Sequence, residues 1–453
     1  MQAHAIIGAG LSGTLTAIRL LQRRSQSLVI NIFEMDNQQL FKGVAYASVL
    51  KHQLLNVPAN HMSLYLDRPL HFYEWLLQSG YRCEPTAFVP RQLFGDYLKQ
   101  ELLKAEENAP RHKLRVYKVE VTHIQKNGDG SFQIFTSDNK IQVSCQELWL
   151  CTGNFTPTDI ENAPANVKQN ERYISNPWSG RLMHKILKHE HVLIVGSGLT
   201  MVDQVLSLYK KGHLGKITVV SRRGFLPQPY ILANHYQFSI LPDFKKCRIV
   251  DLIPWFRSEI NFAIRQEMDW HSVINALRDY TSLIWKHLSE TDKRSFLMHL
   301  RPFWETHRHQ VPPESWRMLQ ELRASSQLEI KAARIISMQS NQKTINVQLR
   351  PRCETGSYQM LFDKVINCTG PQSLQKNITS PLMVSLIKAE LVQSDSLGLG
   401  LLISDDLHAI NKTGVTEPNL HIIGPPGKGG LWECTALREI RLQTDQILND
   451  NYA

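Results

Sequence analysis

Three observations predict an α/β protein made of two similar halves, each a parallel sheet flanked by helices. Glycine-rich turns follow short apolar strands at two places, residues 5–13 and 192–198. A stretch that alternates like a β-meander comes later in each half. Each half then closes with an apolar strand running into Cys-Thr-Gly, at Cys151-Thr152-Gly153 and Cys368-Thr369-Gly370. Strand, glycine turn and helix in that order open a βαβ unit, whose parallel strands require a helical crossover.

In the first half, the strand starting at Ala5 runs into Gly8-Ala9-Gly10-Leu11-Ser12-Gly13. Leu15, Ile18, Leu20 and Leu21 supply the inner face of the helix that follows, and a second strand, "SLVINIFE", ends in Glu34. An acid about 20 residues beyond the glycines completes a dinucleotide fingerprint. Gly8 permits the tight turn, Gly10 lets the backbone approach a pyrophosphate, and Gly13 lets the helix pack closely on the strand. The helix start at Leu11 and Ser12 offers N–H groups to an anion, and Glu34 accepts hydrogen bonds from an adenosine ribose. Farther on, "NGDG" at 127–130 is a hairpin turn inside the meander.

The second half repeats the order but changes the chemistry. Gly196-Ser197-Gly198 opens a helix that includes Thr200, and Met201 stands where the third glycine would be. At the end of "KITVV", where the first half has Glu34, the chain has Ser221-Arg222-Arg223. Arginine there removes the acid that selects an unphosphorylated ribose and offers a planar fork to a 2′-phosphate. Two different nucleotides follow: FAD for the first half and NADPH for the second, in Rossmann-like domains. Thr152 and Gly153 are placed with the FAD, Thr369 and Gly370 with the NADPH.

Composition narrows the remaining classes. At about 150 residues per domain, 453 residues allow two or three domains with ample core. No apolar run reaches the roughly 18 residues of a membrane span. The chain enters its first strand by His4, which leaves no room for a secretory leader, so a cytoplasmic location is expected. Seven cysteines without a C-x-x-C argue against a disulfide framework, a zinc ribbon and a dithiol redox centre. No metal site is expected. The net charge of +10 suits anionic partners, yet the densest basic groups, "LLQRRS" and "VVSRRG", hold only arginine pairs. That favours phosphorylated small molecules over nucleic acid.

The chain resembles the FAD-NAD(P)-binding family of two-domain flavoproteins related to flavin-dependent N-hydroxylating monooxygenases. Four segments carry the likeness: "GVAYASVLKHQLLNVPANHMSLYLDRPLHFYEWL" (43–76), "SRRGFLPQPY" (221–230), "RPFWETHRHQVPPESW" (301–316) and "LHIIGPPGKGGLWECTALREIRLQ" (420–443). The resemblance implies that Gly43, Tyr46, Asn56 and Met62 lie near the flavin. It implies too that the closing segment returns to the first domain, placing Gly424, Trp432 and Glu433 by the isoalloxazine at the start of a last helix. The implied organisation is an FAD-binding domain over 1–155, an NADPH-binding domain over 156–365 and an FAD-domain return over 366–453. "GPPGKGG" looks like a P-loop but lacks its spacing and the hydroxyl residue after Lys428. Flavin monooxygenases of the Baeyer–Villiger and dimethylaniline types carry a histidine in the linker after the first sheet. Here "YISNPW" has Asn176, which counts against those chemistries.

Residues 250–325 break the duplication with helical periodicity and five tryptophans, Trp255, Trp270, Trp285, Trp304 and Trp316. The region reads either as a helical insert with an aromatic core or as a cover over the flavin that forms the substrate pocket. Within it, His307 and Arg308 are candidate catalytic residues, the arginine to clamp a carboxylate and the histidine to move a proton. The alternative for both is a surface turn. The expected activity is an FAD-dependent, NADPH-consuming oxidoreductase. In it the reduced flavin meets O₂ as a peroxyflavin that oxygenates a small amine- or carboxylate-bearing substrate. A reductase or diaphorase feeding a quinone or protein carrier is the alternative, and a non-catalytic flavoprotein that binds a partner is the third reading.

Overall fold

The computed structural model describes residues 1–23, 27–179, 185–371, 374 and 380–450, the side chains of 447–450 excepted; Arg24, in the first arginine pair, lies outside them. The first half supplies β1 (Gln2–Ile7), β2 (Leu28–Phe33), β3 (Lys113–Tyr117), β4 (Val121–Lys126), β5 (Phe132–Thr136), β6 (Gln142–Cys145) and β7 (Glu147–Leu150). The second supplies β8 (Tyr173–Ile174), β9 (Val192–Val195), β10 (Ile217–Ser221), β11 (Leu328–Ser340), β12 (Ile345–Pro351), β13 (Tyr358–Phe362) and β14 (Lys364–Asn367). Finally β15 (His408–Ile410) and β16 (Thr416–Ile422) return to the first sheet.

One sheet runs β15-β16-β7-β1-β2-β3 and the other β13-β12-β11-β10-β9-β14-β8. The central strands match in register. Ile7 faces Phe33 on one side and Leu150 on the other, as Val195 faces Val220 and Asn367. The strand order reverses beside β1 and β9, which makes the crevice where open α/β sheets bind ligands. The meander of the first half is a separate three-stranded sheet, β4-β5-β6; in the second it grows directly out of the long β11. The predicted hairpin is present, with the N–H of Asn127 bonding the Ser131 carbonyl at 2.8 Å and Gly130 at φ +85°.

Burial explains the layers. One face of the first sheet packs Ile6, Ile30 and Trp149 against Leu15 and Ile18 of helix Leu11–Leu21 and Ile440 of helix Leu437–Asp450. Its other face packs Leu148, Leu150 and Ile422 against Ile124, Phe132 and Ile134 of the meander. Met201 is fully buried among Val192, Ile194 and Val205, so the residue replacing a glycine serves the second core. Helices at Ile249–Arg265, Trp270–Leu277, Thr281–His287, Glu290–Ser295 and Arg301–Arg308 make the insert, and helix Pro313–Ala324 leads back into β11. Trp255 and Trp285 belong to the insert's apolar clusters and Trp316 to the second core. No helix of the described residues is long and apolar enough to cross a membrane.

The end of the chain differs from expectation. The long helix does not begin after "GKGG" but at Leu437, while Lys428–Leu431 is one helical turn of its own. Trp432 ends that turn at φ +59°, ψ −65°, a left-handed geometry that no helix continues.

Candidate dinucleotide sites and the cavity between them

Both glycine turns are built by the same contacts. A Cβ on Gly8 (φ +95°) would lie 2.5 Å from the Cys151 carbonyl oxygen, and one on Gly196 (φ +104°) 2.2 Å from that of Cys368. In turn the Cys151 N–H bonds the Ile7 carbonyl and the Cys368 N–H that of Val195, at 2.9 and 2.7 Å. The glycine is therefore dictated twice, by its left-handed φ and by lack of room. The first complete helical hydrogen bonds run from the Thr14 N–H to the Gly10 carbonyl and from the Val202 N–H to the Gly198 carbonyl. N–H groups ahead of them, including those of Leu11, Ser12 and Thr200, have no intrahelical acceptor and face the crevice at the strand ends.

The residue after the first glycine meets the end of the second strand in both halves. The Ala9 N–H donates to Glu34 Oε2 at 2.9 Å, while Ser197 Oγ donates to Ser221 Oγ at 2.9 Å. Ser221 is thus the counterpart of Glu34, with the two arginines just beyond it. They differ in setting. Arg222 is exposed, whereas Arg223 lies 5.0 Å from the Phe303 ring centroid and its Nη2 donates to the His299 carbonyl at 3.4 Å.

Several residues assigned to the flavin surround the first turn. Gly43 (φ +66°) touches Gly10, since its Cβ would lie 2.9 Å from the Gly10 Cα. Gly424 crosses Ser12 as closely, and its N–H donates to Gln443 Oε1 at 2.8 Å. Thr152 Oγ1, next to Gly153, is buried without a hydrogen-bond partner. A buried hydroxyl of that kind at the strand ends of the crevice fits a polar ligand edge. Asn56 is half-buried, Met62 is part of the first core, and the partly buried Tyr46 packs on Phe94, desolvation pushing its phenol up to about 12. On the other side Thr369 is exposed and its Oγ1 donates to Asn367 Oδ1, with Gly370 beyond it at φ +92°. The residues present fit FAD in the first crevice and a second dinucleotide in the other.

The residues that follow the two Cys-Thr-Gly ends line one cavity. Asn154 and Phe155 line it after the first, Pro371 after the second, with Pro425 and Lys428 from the return and Arg301 from the insert. Arg301 and Lys428 have no motif to announce them, and only the fold brings them together.

The insert is bound to the return segment. Trp304 Nε1 donates to Glu433 Oε1 at 3.0 Å, and Arg308 Nη2 to Glu433 Oε2 at 3.4 Å. Arg308 and neighbouring His309 hold the Glu433 carboxyl below its usual range despite burial, and burial lowers the His309 imidazole to about 4. Trp285 donates to the Gly429 carbonyl and stacks on Trp432 at 4.8 Å, while Arg278 forks onto Glu439 at 2.7 and 2.9 Å. The Arg308 guanidinium is thus engaged by Glu433, and the His307 ring bonds the Phe303 carbonyl of its own helix. Backbone bonds at Gln228 and Tyr230 tie "SRRGFLPQPY" alongside Thr306 and Val311. The segment 301–316 is the bridge between the chain that follows the second nucleotide turn and the return segment.

Residues 5–155 match a family described as FAD-NAD(P)-binding. A protein of Escherichia coli (strain K12), "Uncharacterized protein YdhS", is 26% identical over 263 residues, 50% of this chain and 47% of that protein. The chain therefore spans about half the length of that relative. Ornithine hydroxylase (PvdA) from Pseudomonas aeruginosa, in its reduced form, superposes with a TM-score of 0.67 at 16% identity, over 99% of this chain and 98% of that one. The FAD-bound cadaverine monooxygenase DfoA from Erwinia amylovora gives 0.65 at 13% identity, over 98% and 93%. Bacillithiol disulfide reductase Bdr (YpdA) from Staphylococcus aureus gives 0.54 at 14%, over 99% and 98%. The chain thus matches an FAD-NAD(P)-binding family over residues 5–155 and shares its fold, end to end, with monooxygenases and a reductase.

Proposed function

We propose that this protein is an FAD-dependent, NADPH-consuming monooxygenase that hydroxylates the amine nitrogen of a small substrate. The observation that carries the reading is the cavity lined by the residues that follow both Cys-Thr-Gly ends, because a hydride donor and its acceptor must meet. The fold, closer to the ornithine hydroxylase than to the disulfide reductase, supports an oxygenase. The absence of a C-x-x-C removes only the dithiol disulfide-reductase branch of the alternative.

Gly8, Gly10, Leu11, Ser12 and Gly13 take the FAD pyrophosphate, Glu34 the adenosine ribose, and Gly43, Tyr46, Asn56, Thr152, Gly153, Gly424 and Trp432 the riboflavin end. Gly196, Ser197, Gly198 and Thr200 take the NADPH pyrophosphate, with Ser221, Thr369 and Gly370 at its edges. Exposed Arg222 holds the 2′-phosphate, and Arg223 anchors the insert beside it. Bound flavin supplies hydride acceptance and oxygen activation, and the protein supplies position and a closed site. The insert, fastened by Glu433, Trp304 and Arg308, keeps water from the cavity. Protein loaded with FAD and NADPH, given O₂ and candidate diamines or amino acids, should yield a hydroxylamine; peroxide alone with every amine would reject the oxygenase.

A further inference from the structure

The cavity between the halves is lined by two cations, only one of which is paired with a described carboxylate. Lys428 and Arg301 line it together with Asn154, Phe155, Pro371, Leu399 and Pro425, none of them charged. Lys428 Nζ lies 5.0 Å from the Trp432 ring centroid and the Arg301 guanidinium 5.8 Å from the same ring. Two cations thus share one indole, itself held at φ +59°, an unfavourable backbone region for a bulky side chain.

The nearby carboxylates are taken. Glu305 Oε1 binds Arg301 Nε at 2.7 Å, Glu433 serves Trp304 and Arg308, and Asp395 Oδ2 accepts from the Gly400 N–H at 2.6 Å. The Lys428 ammonium forms no hydrogen bond or ion pair with any described residue. Burial, then Arg301, pushes it below the ordinary lysine range. Glu305 and Glu433 act on that ammonium only at a distance; a largely buried cation without a directly paired anion is costly, and a ligand that brings one lowers that cost. The chain just before Arg301, Phe296–Leu300, is a π-helical turn, an irregularity frequent at functional sites.

We propose that Lys428 and Arg301 form a carboxylate-binding site, so that the substrate of the oxygenation proposed above bears a carboxylate held at this end of the cavity. The inference rests on that reading for the word substrate, but not for the binding site. Ammonium and guanidinium together donate to both carboxylate oxygens, and Phe155 and Leu399 of the lining flank the aliphatic part.

Titration calorimetry of the FAD-loaded protein with sodium butyrate, and with n-butylamine hydrochloride at equal ionic strength, tests the site. Wild type should bind butyrate and not butylamine. Lys428→Met should weaken butyrate by about tenfold or more, the worth of one charge-assisted hydrogen bond. Arg301→Gln should weaken it less, because Glu305 already shares that charge, and Lys428→Arg should retain it. Equal butyrate affinity in wild type and Lys428→Met, or no butyrate binding by wild type, overturns the proposal. So does a variant that shifts only the flavin reduction potential, because Lys428 would then serve the cofactor. The heats require neither NADPH nor O₂. Butyrate binding together with peroxide alone from every amine would therefore reject the oxygenase and leave the site standing; hydroxylamine formation without butyrate binding would reject the site.

Discussion

A Cβ on Gly196 would sit 2.2 Å from the Cys368 carbonyl oxygen, 172 residues farther along the chain, and the same relation joins Gly8 to Cys151 at 2.5 Å. Each pair locks a nucleotide turn to the strand that closes its half. Both glycines are left-handed, so alanine meets backbone strain and a backbone clash together, a loss of about 1–3 kcal/mol from strain alone. Gly196→Ala should stay yellow and fail to bind NADPH, whereas Gly8→Ala should lose FAD. Absorbance at the flavin band and equilibrium binding of NADPH separate the two. A Gly196→Ala protein with wild-type NADPH affinity would contradict the second site.

These pairs mark how far the sequence was legible. The glycine turns, Glu34, the Ser221 counterpart and both Cys-Thr-Gly endings could be read because each is a short local pattern with a backbone cause. The fold-level duplication followed from their order. Arg308 was legible as a clamp for a carboxylate but not which one, since Glu433, its partner, lies 125 residues away. Lys428 was visible only as a false P-loop residue. The start of the last helix was misplaced because "GKGG" does make a helical turn, and only the backbone of Trp432 reveals that the turn stops there. Pairings across domains leave no periodicity to read.

The arginine pair should divide its labour. Arg222→Ala should raise the KM for NADPH by roughly tenfold to a hundredfold, the worth of a charge-assisted bond to phosphate, with little change for NADH. Arg223→Ala releases the Phe303 and His299 contacts instead, and should affect both coenzymes alike and lower the unfolding temperature. Steady-state kinetics with NADPH and NADH check this. Equal losses for both coenzymes in Arg222→Ala would contradict the 2′-phosphate assignment.

Glu433 is 8% exposed and its partner Arg308 12%, so breaking this pair leaves a buried charge. Arg308→Met should cost about 3–5 kcal/mol, because the carboxylate keeps only the Trp304 bond. Glu433→Gln keeps an acceptor for Trp304 and should cost less. Urea unfolding of the two variants and of their double mutant measures the coupling. Strictly additive losses would show that the side chains act independently.

The base of the first sheet should give stability a maximum near neutral pH. His4, His408 and His421 gather there with Trp149 and Glu147, and His421 Nε2 lies 2.8 Å from Glu147 Oε2. Burial lowers the imidazoles of His4 and His421 to about 3 from an ordinary 6.5. It also raises the Glu147 carboxyl to about 7 from 4.5. The protonated Glu147 then donates to a neutral His421. Below pH 6.5 the unfolded histidines take up protons that the folded ones refuse, so each removes about 1.4 kcal/mol of stability per pH unit. Glu147 acts in the opposite sense, since its contribution, full below pH 4.5, is lost as pH rises through about 7. Two histidines outweigh one glutamate at the acid end, so stability should climb from pH 4.5 to 6.5 and then decline toward 7. Glu147→Gln should abolish the decline and leave the acid limb steeper. Urea midpoints of wild type and variant across this range provide the measurement, and superimposable profiles would mean that Glu147 titrates in the folded protein as it does in the unfolded chain.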